Sequence, residues 1–490
     1  MKTKLRALTS LALVSAFALA ACGGEMDTQV EDQGTPDPSA SEEAGADTAG
    51  SDGDTESETE GEAGAVDPAD REAREVGGPE TRLAVTYDGG VAVIDGATLE
   101  TIDQFEAEGF VRVNPAGDGR HVFLSEGSSF RLLDLGTWGE PHGDHNHYYV
   151  TEPYFSEVTV DGDAPGHVVS HDGIGTLFFD GTGEIHSFDL AELSVESDLE
   201  TEVAETEDAH HGVAVVLEDG SRFETLADRS GARFLDADGE EIARSEECPG
   251  VHGEATGPDH IIAVGCEDGA LIWDGEAFTK IDAGEDFARS GNLFAHPDSP
   301  IFLADYRTDE SGEEPMTSVA LINTETQSIT TTDIDAPYNF RSLARGPEGE
   351  ALVLAEDGQL HVIDPETGEH IEHVQVLDEW TEPEEWQEPR PAIRLVDDIA
   401  YITDPENQQI HMVDLTSFEV INSGDLDFIP NEIAAADGRP AEGVPEEQGH
   451  DHGEHGHEEH DHDHADSEDD HDHDRAEAEH GHDHDEDHDH

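Results

Sequence analysis

From about residue 82 to residue 440 the chain repeats one pattern. A short apolar strand ends in a turn. A second strand follows, then a tight turn, a third strand that often ends in Asp, and a weaker fourth. One copy occupies residues 110–115, 121–124 and 130–135; another occupies 340–344, 351–354, 359–364 and 370–376. Others begin near His167, His211, His252, Gly291 and Ile393, so starts lie roughly 40–57 residues apart. That interval is the blade period of a β-propeller. No stretch of useful length in the region has the 3.6-residue period of a helix.

The two ends of the region complete each other. Residues 431–435, followed by Asp437-Gly438, have the form of a first strand with nothing after it. Residues 83–87, 91–95 and 101–105 have the form of second, third and fourth strands with no first. Joining them closes a ring and removes both free sheet edges. Counting that composite unit, the sequence predicts an all-β propeller of about eight blades over 82–440, with seven as the alternative.

The rest of the chain has a different character. Hydrophobic residues make up 34% and aromatics 6% of the 490 residues, low enough to require that part of the chain does not fold. Residues 22–81 are rich in Asp, Glu, Gly, Ala, Ser and Thr and read as a disordered acidic linker. Residues 441–490 read as a disordered His/Asp-rich tail. A formal charge of −98 repels phosphate backbones and argues against nucleic-acid binding.

Lys2, Lys4 and Arg6 precede an apolar run over residues 7–18, which is too short to span a membrane. The run ends in Leu19-Ala20-Ala21-Cys22, which resembles a bacterial lipobox. This predicts a signal peptide over 1–21, lipidation of Cys22, and a lipid-anchored protein on the extracytoplasmic face of the cell membrane; an ordinary signal peptide is the alternative. Outside the cell the surroundings are oxidising. The two remaining thiols, Cys248 and Cys266, then fit one disulfide, with a zinc thiolate pair as the rival.

Histidine is the chemical anomaly, with 30 residues, most of them in three concentrations. The tail holds His450, His452, His455, His457, His460, His462, His464, His471, His473, His480, His482, His484, His488 and His490, interleaved with Asp and Glu. Neutral imidazoles there collect zinc, nickel or copper at loose, exchanging sites. His142, His145 and His147 lie close together in an expanded connection between the third and fourth strands of one blade, spaced as in a mobile chelating loop. The third group sits near first strands: His167 and His171, His210 and His211, and His252 with Glu254. First strands line a propeller channel, so residues some 40 positions apart converge there. Three imidazoles with a carboxylate or water make a tetrahedral zinc site. By chain direction, His211 and His252 start their strands on one face of the ring, whereas His171 ends its strand on the other; one site or two both remain open.

The segments His167-Val168-Val169-Ser170-His171, Leu177-Phe178-Phe179-Asp180-Gly181, His210-His211-Gly212-Val213-Ala214-Val215 and Cys248-Pro249-Gly250-Val251-His252-Gly253-Glu254-Ala255, with Gly265-Cys266-Glu267-Asp268-Gly269, resemble the AztD family of bacterial zinc metallochaperones. The resemblance covers most of 82–440. It implies an exported propeller that binds zinc and hands it to the solute-binding protein of a zinc ABC importer, and it is not the profile of an enzyme. It points to His167, His171, His210, His211 and His252 as the matching histidines. The lipid anchor and the long tail depart from the family pattern. Two other classes stay in view, a propeller hydrolase or lactonase with Glu254 as acid or base, and a surface scaffold whose tail buffers metal.

Overall fold

A computed structural model describes residues 71–440. The predicted signal peptide, Cys22, most of the linker and the histidine tail lie outside the described residues.

The described chain is strand throughout, apart from two single-turn 3₁₀ segments at Leu190–Glu192 and Pro258–His260. Its strands form six four-stranded antiparallel sheets, one seven-stranded sheet and a small three-stranded one. In the seven-stranded sheet one long strand, Ser328–Arg345, serves as the outer strand of one unit and the inner strand of the next. Divided there, and with the three-stranded sheet left aside, the described residues form eight four-stranded units. Each unit touches the next, and the last touches the first through Ile393–Val396 and Ile433–Ala436. The architecture is a closed β-propeller.

Closure follows the predicted plan. Ile433–Ala436 pairs antiparallel with Arg82–Tyr87, from Arg82 opposite Ala436 to Val85 opposite Ile433. One blade thus takes its inner strand from the C-terminal end of the domain and its other three from the N-terminal end.

Burial explains the repeat. Second and third strands sit between neighbouring blades and are covered on both faces, so they read as continuous apolar runs rather than alternating ones. Ile262–Cys266, Gly269–Trp273 and Ala351–Ala355 are buried at every position. Fourth strands face solvent and are polar, as in Thr101–Glu106 and Glu202–Glu205. First strands are half-buried, as in Pro165–His171, because they line the central channel. Pro115, Ser170, Thr256, Ala295, Val396 and Ala435, at or next to the ends of six first strands, surround a cavity of about 860 Å³ at one mouth of it.

Two expectations are corrected. The linker was expected to run to residue 81, but Arg74–Val76 is a strand, paired with His145–Val150. Arg71 also reaches the buried Asp134 at 2.8 Å. An acidic composition hides these contacts because one arginine, Arg71, and a backbone edge pairing supply them. The His142–His147 segment was expected to be a mobile loop, and it is a β-hairpin of Thr137–His142 and His145–Val150 in the same small sheet. Gly143 turns the hairpin at φ 66°, a left-handed conformation that glycine adopts without cost.

Candidate metal centre

His167 and His171 stand on one strand, Pro165–His171. Four residues apart, they share a face and lie ~13 Å from each other along the strand. One strand therefore serves two separate clusters.

At the start of the strand, three imidazoles converge from three successive blades. His211 precedes Ala214–Val216, and His252 opens His252–Thr256. The ring centroids of His167 and His211 lie 5.3 Å apart, and those of His211 and His252 lie 5.2 Å apart. His211 Nδ1 donates to Asp180 Oδ2 at 2.6 Å, and His252 Nδ1 donates to the Gly291 carbonyl at 2.7 Å. Both anchors are acceptors, so both Nε2 atoms present bare lone pairs. Those two atoms face each other at 3.2 Å. Two lone pairs at that separation repel unless a proton or a cation lies between them. Tetrahedral zinc with Zn–N near 2.0–2.1 Å places its nitrogens about 3.3 Å apart, so the separation suits a shared zinc ion. The outer hydrogen bonds are the kind that orient ligating histidines.

Glu254 joins this cluster, its Oε2 lying 3.4 Å from His167 Nδ1. Glycine is required between His252 and Glu254. Gly253 has φ 68°, and a β-carbon there would meet the Gly291 carbonyl. The electrostatics divide the ligands. Burial, with His211 and Arg289 nearby, lowers the His252 pKa to about 4, so its ring is neutral and ready to ligate. Burial also disfavours charge on His167, but Glu254 and Asp180 outweigh it and raise its pKa.

At the far end of the strand, His171 Nε2 lies 3.2 Å from His260 Nδ1, and Asp172 Oδ2 lies 2.7 Å from the same His260 nitrogen. This second cluster opens into the 860 Å³ cavity. Asp172, Asp259 and His260 all have positive φ, 46°, 56° and 59°. Backbone strain of this kind persists where surrounding structure enforces it, often at functional sites. His260 was not anticipated; it is a lone histidine in a turn, 89 residues from its partner. Burial is the main cause of a lowered His171 pKa, with His260 adding to it.

The hairpin carries a third cluster. His142 and His145 are opposed in register, and the centroids of His142, His145 and His147 lie 5.0–5.2 Å apart. One ligand nitrogen from each lies within 4.8 Å of the others. His147 Nδ1 is fixed by Glu75 Oε1 at 2.7 Å. The base of the hairpin packs close to the cavity mouth, Gly139 beside Pro440, which lines it, and Trp138 beneath the guanidinium of Arg120, which lies between the lining residues Gly119 and His121.

His210 does not join its neighbour. Its Nδ1 donates to the Asp208 carbonyl at 2.9 Å and its Nε2 meets Thr225 Oγ1 at 3.2 Å. With both nitrogens in local bonds, it is a structural residue rather than a ligand candidate.

Cys248 and Cys266 form a disulfide, so no thiolate pair is left for zinc. The bond ties the turn before His252 to the end of the neighbouring strand, and both cysteines are fully buried. Replacing both with serine should cost about 3 kcal/mol of stability from loop entropy. Denaturant titration reads the loss. Because His252 lies four residues beyond Cys248, zinc affinity should fall with it.

Histidines converging from three successive blades of a β-propeller define the class, a propeller whose blades bring together side chains able to hold a metal ion. The particular similarity is to the zinc chaperone AztD of Citrobacter koseri, 27% identical over 382 residues, covering 74% of this chain and 86% of that protein. The crystal structure of Citrobacter koseri AztD superposes with a TM-score of 0.64 at 25% identity, covering 73% of this chain and 98% of that one. The apo AztD structure from the same organism gives the same TM-score at 23% identity and supports the fold. No family model matches the chain. The resemblance read from the sequence is borne out, and that relative is named as a chaperone rather than an enzyme.

Proposed function

We propose that this chain is a zinc chaperone, held at the extracytoplasmic face of the cell membrane by a lipid on Cys22. The histidine tail and the His142–His147 hairpin capture zinc loosely. His167, His211 and His252, with Glu254 close by, hold it tightly. The solute-binding protein of a zinc ABC importer receives it.

The observation that carries this reading is the pair of outward-anchored imidazoles whose Nε2 atoms meet at 3.2 Å. A tight site of this kind releases bare zinc slowly. Handover therefore proceeds by ligand exchange, with partner ligands replacing imidazoles one at a time. His211 suits the first exchange, because its side chain keeps 48% of its exposure whereas that of His167 keeps 22%.

The test loads the full chain with one equivalent of zinc and mixes it with the metal-free solute-binding protein and excess chelator. Direct handover loads the partner at a rate that rises with partner concentration and is insensitive to chelator. Capture of all the zinc by chelator, at a rate independent of the partner, would refute it.

A further inference from the structure

A fourth group of imidazoles lies away from the channel, on the outer half of the seventh blade. His361 is in the third strand, Gln359–Ile363, and His370 and His373 are in the outermost strand, His370–Gln375. His361 and His373 are directly opposed in register. His370 is three residues before His373 and would normally point to the other face. The register shifts between Val362 and Ile363, so Ile371 is an extra residue in the outer strand. That bulge turns His370 onto the same face as His373.

The result is a compact triangle. Ring centroids are 4.6 Å apart for His361 and His373, 4.9 Å for His370 and His373, and 5.7 Å for His361 and His370. One ring nitrogen from each lies within 4.8 Å of the other two.

Hydrogen bonding leaves these rings short of partners where a ligand would need them. His361 is only 3% exposed, and its Nε2 faces both carboxylate oxygens of Asp357 at 3.3–3.4 Å. Its Nδ1 is buried with no hydrogen-bond partner. A buried polar atom without a partner is costly. His370 Nε2 donates to the Asp333 carbonyl at 2.9 Å, which leaves its Nδ1 as a bare lone pair. Each of these two rings is thus backed by an oxygen on one nitrogen and offers the other, the arrangement that orients histidine ligands.

We propose that His361, His370 and His373 form an additional binding site for a divalent first-row transition ion of the zinc class. Imidazole suits zinc, nickel and copper, whereas magnesium and calcium prefer oxygen. Three nitrogens leave a fourth position open to water or an incoming ligand. Asp333 belongs to the outer part of the preceding unit, so an ion here also ties the rims of two blades together. The site stands independently of the channel centre and of the handover proposed for it.

Histidine carbethoxylation of the full chain, read by mass spectrometry, tests this at a buffered free zinc level so that the tail does not deplete the ion. Zinc should slow modification of His370 and His373 at least several-fold, and magnesium should not. His373→Ala, on the exposed strand, should abolish zinc protection of His370 while protection of His211 and His252 persists. His361→Asn should act in the same way, and circular dichroism checks that this buried variant is folded. Anomalous diffraction at the zinc edge should place an ion about 2.0–2.1 Å from all three rings. Equal modification of His370 and His373 with and without zinc, while His211 and His252 become protected, would overturn the site and leave the channel centre intact.

Discussion

Replacing His252 with alanine is expected to weaken tight zinc binding by about 100-fold or more, a change of roughly 2.7 kcal/mol or greater. Adding His211→Ala should leave no tight channel site. Competition against a chelator of known affinity, with less than one equivalent of zinc, reads the tight site before weaker ones fill. A chain ending at residue 440, studied beside the full chain, separates the ring from its histidine tail. Asp180→Asn is the graded companion. It keeps the size of the residue but weakens the acceptor that fixes His211 at 2.6 Å. A loss of about 10–100-fold is expected there. Undiminished tight binding in the double variant would show that these converging rings do not bind the ion.

Acid should act at the same place. A histidine ligates only when unprotonated, so affinity falls as pH falls. His252 is not the limiting ring, because burial holds its pKa down to about 4. His167 is limiting; burial opposes its protonation, but Glu254 overrides that and raises its pKa above the ordinary imidazole value. Occupancy should therefore decline from near neutrality rather than from pH 4, and equilibrium dialysis at about pH 7 and two units lower measures it.

The second large effect concerns stability. Asp134 ends the strand Ser129–Asp134 and is fully buried. It receives Arg120 through two hydrogen bonds at 3.0 and 2.6 Å, Arg71 at 2.8 Å and the Gly136 amide at 2.7 Å. Asp134→Ala leaves two guanidinium groups without their buried counter-charge and should destabilise the domain by about 3–5 kcal/mol. Burial alone would raise the Asp134 pKa, but His121, Arg120 and Arg71 outweigh it and hold the carboxyl well below its ordinary range. The folded pKa is thus the lower one. The stabilisation is complete above the unfolded carboxyl pKa, about 3.9, and is lost as pH falls through the folded value. Denaturant midpoints of the two chains should differ at neutral pH and converge only in strong acid. A midpoint unchanged by the substitution at pH 7 would show that the cluster does not stabilise the fold.

These outcomes also mark what the sequence could convey. Middle strands such as Ile262–Cys266 are apolar throughout because both faces are covered, and that pattern is visible without coordinates. The composite blade was legible because three strands at one end lack a first strand and a single strand at the other end supplies it. His211 and His252 were found because each sits at the same place in its repeat. His210 was misread because adjacent residues point in different directions, and only the bonds to Asp208 and Thr225 reveal which one turns inward. His260 carries no periodic signal, and its pairing with His171 depends on a turn with left-handed backbone. The His361 triangle was hidden for another reason. A single inserted residue, Ile371, decides whether His370 and His373 share a face, and strand register is not written in local composition.

The pairing of Ile433–Ala436 with Arg82–Val85 has a consequence for biogenesis. The clasp that seals the wheel is among its last pieces to be synthesised, while its mate is among the first. Until synthesis reaches residue 433, the nascent chain carries a bare edge along Arg82–Val85, open to pairing with other polypeptides. Only a chain that reaches residue 436 can snap shut, so abortive products ending before residue 433 are left with the sticky side out.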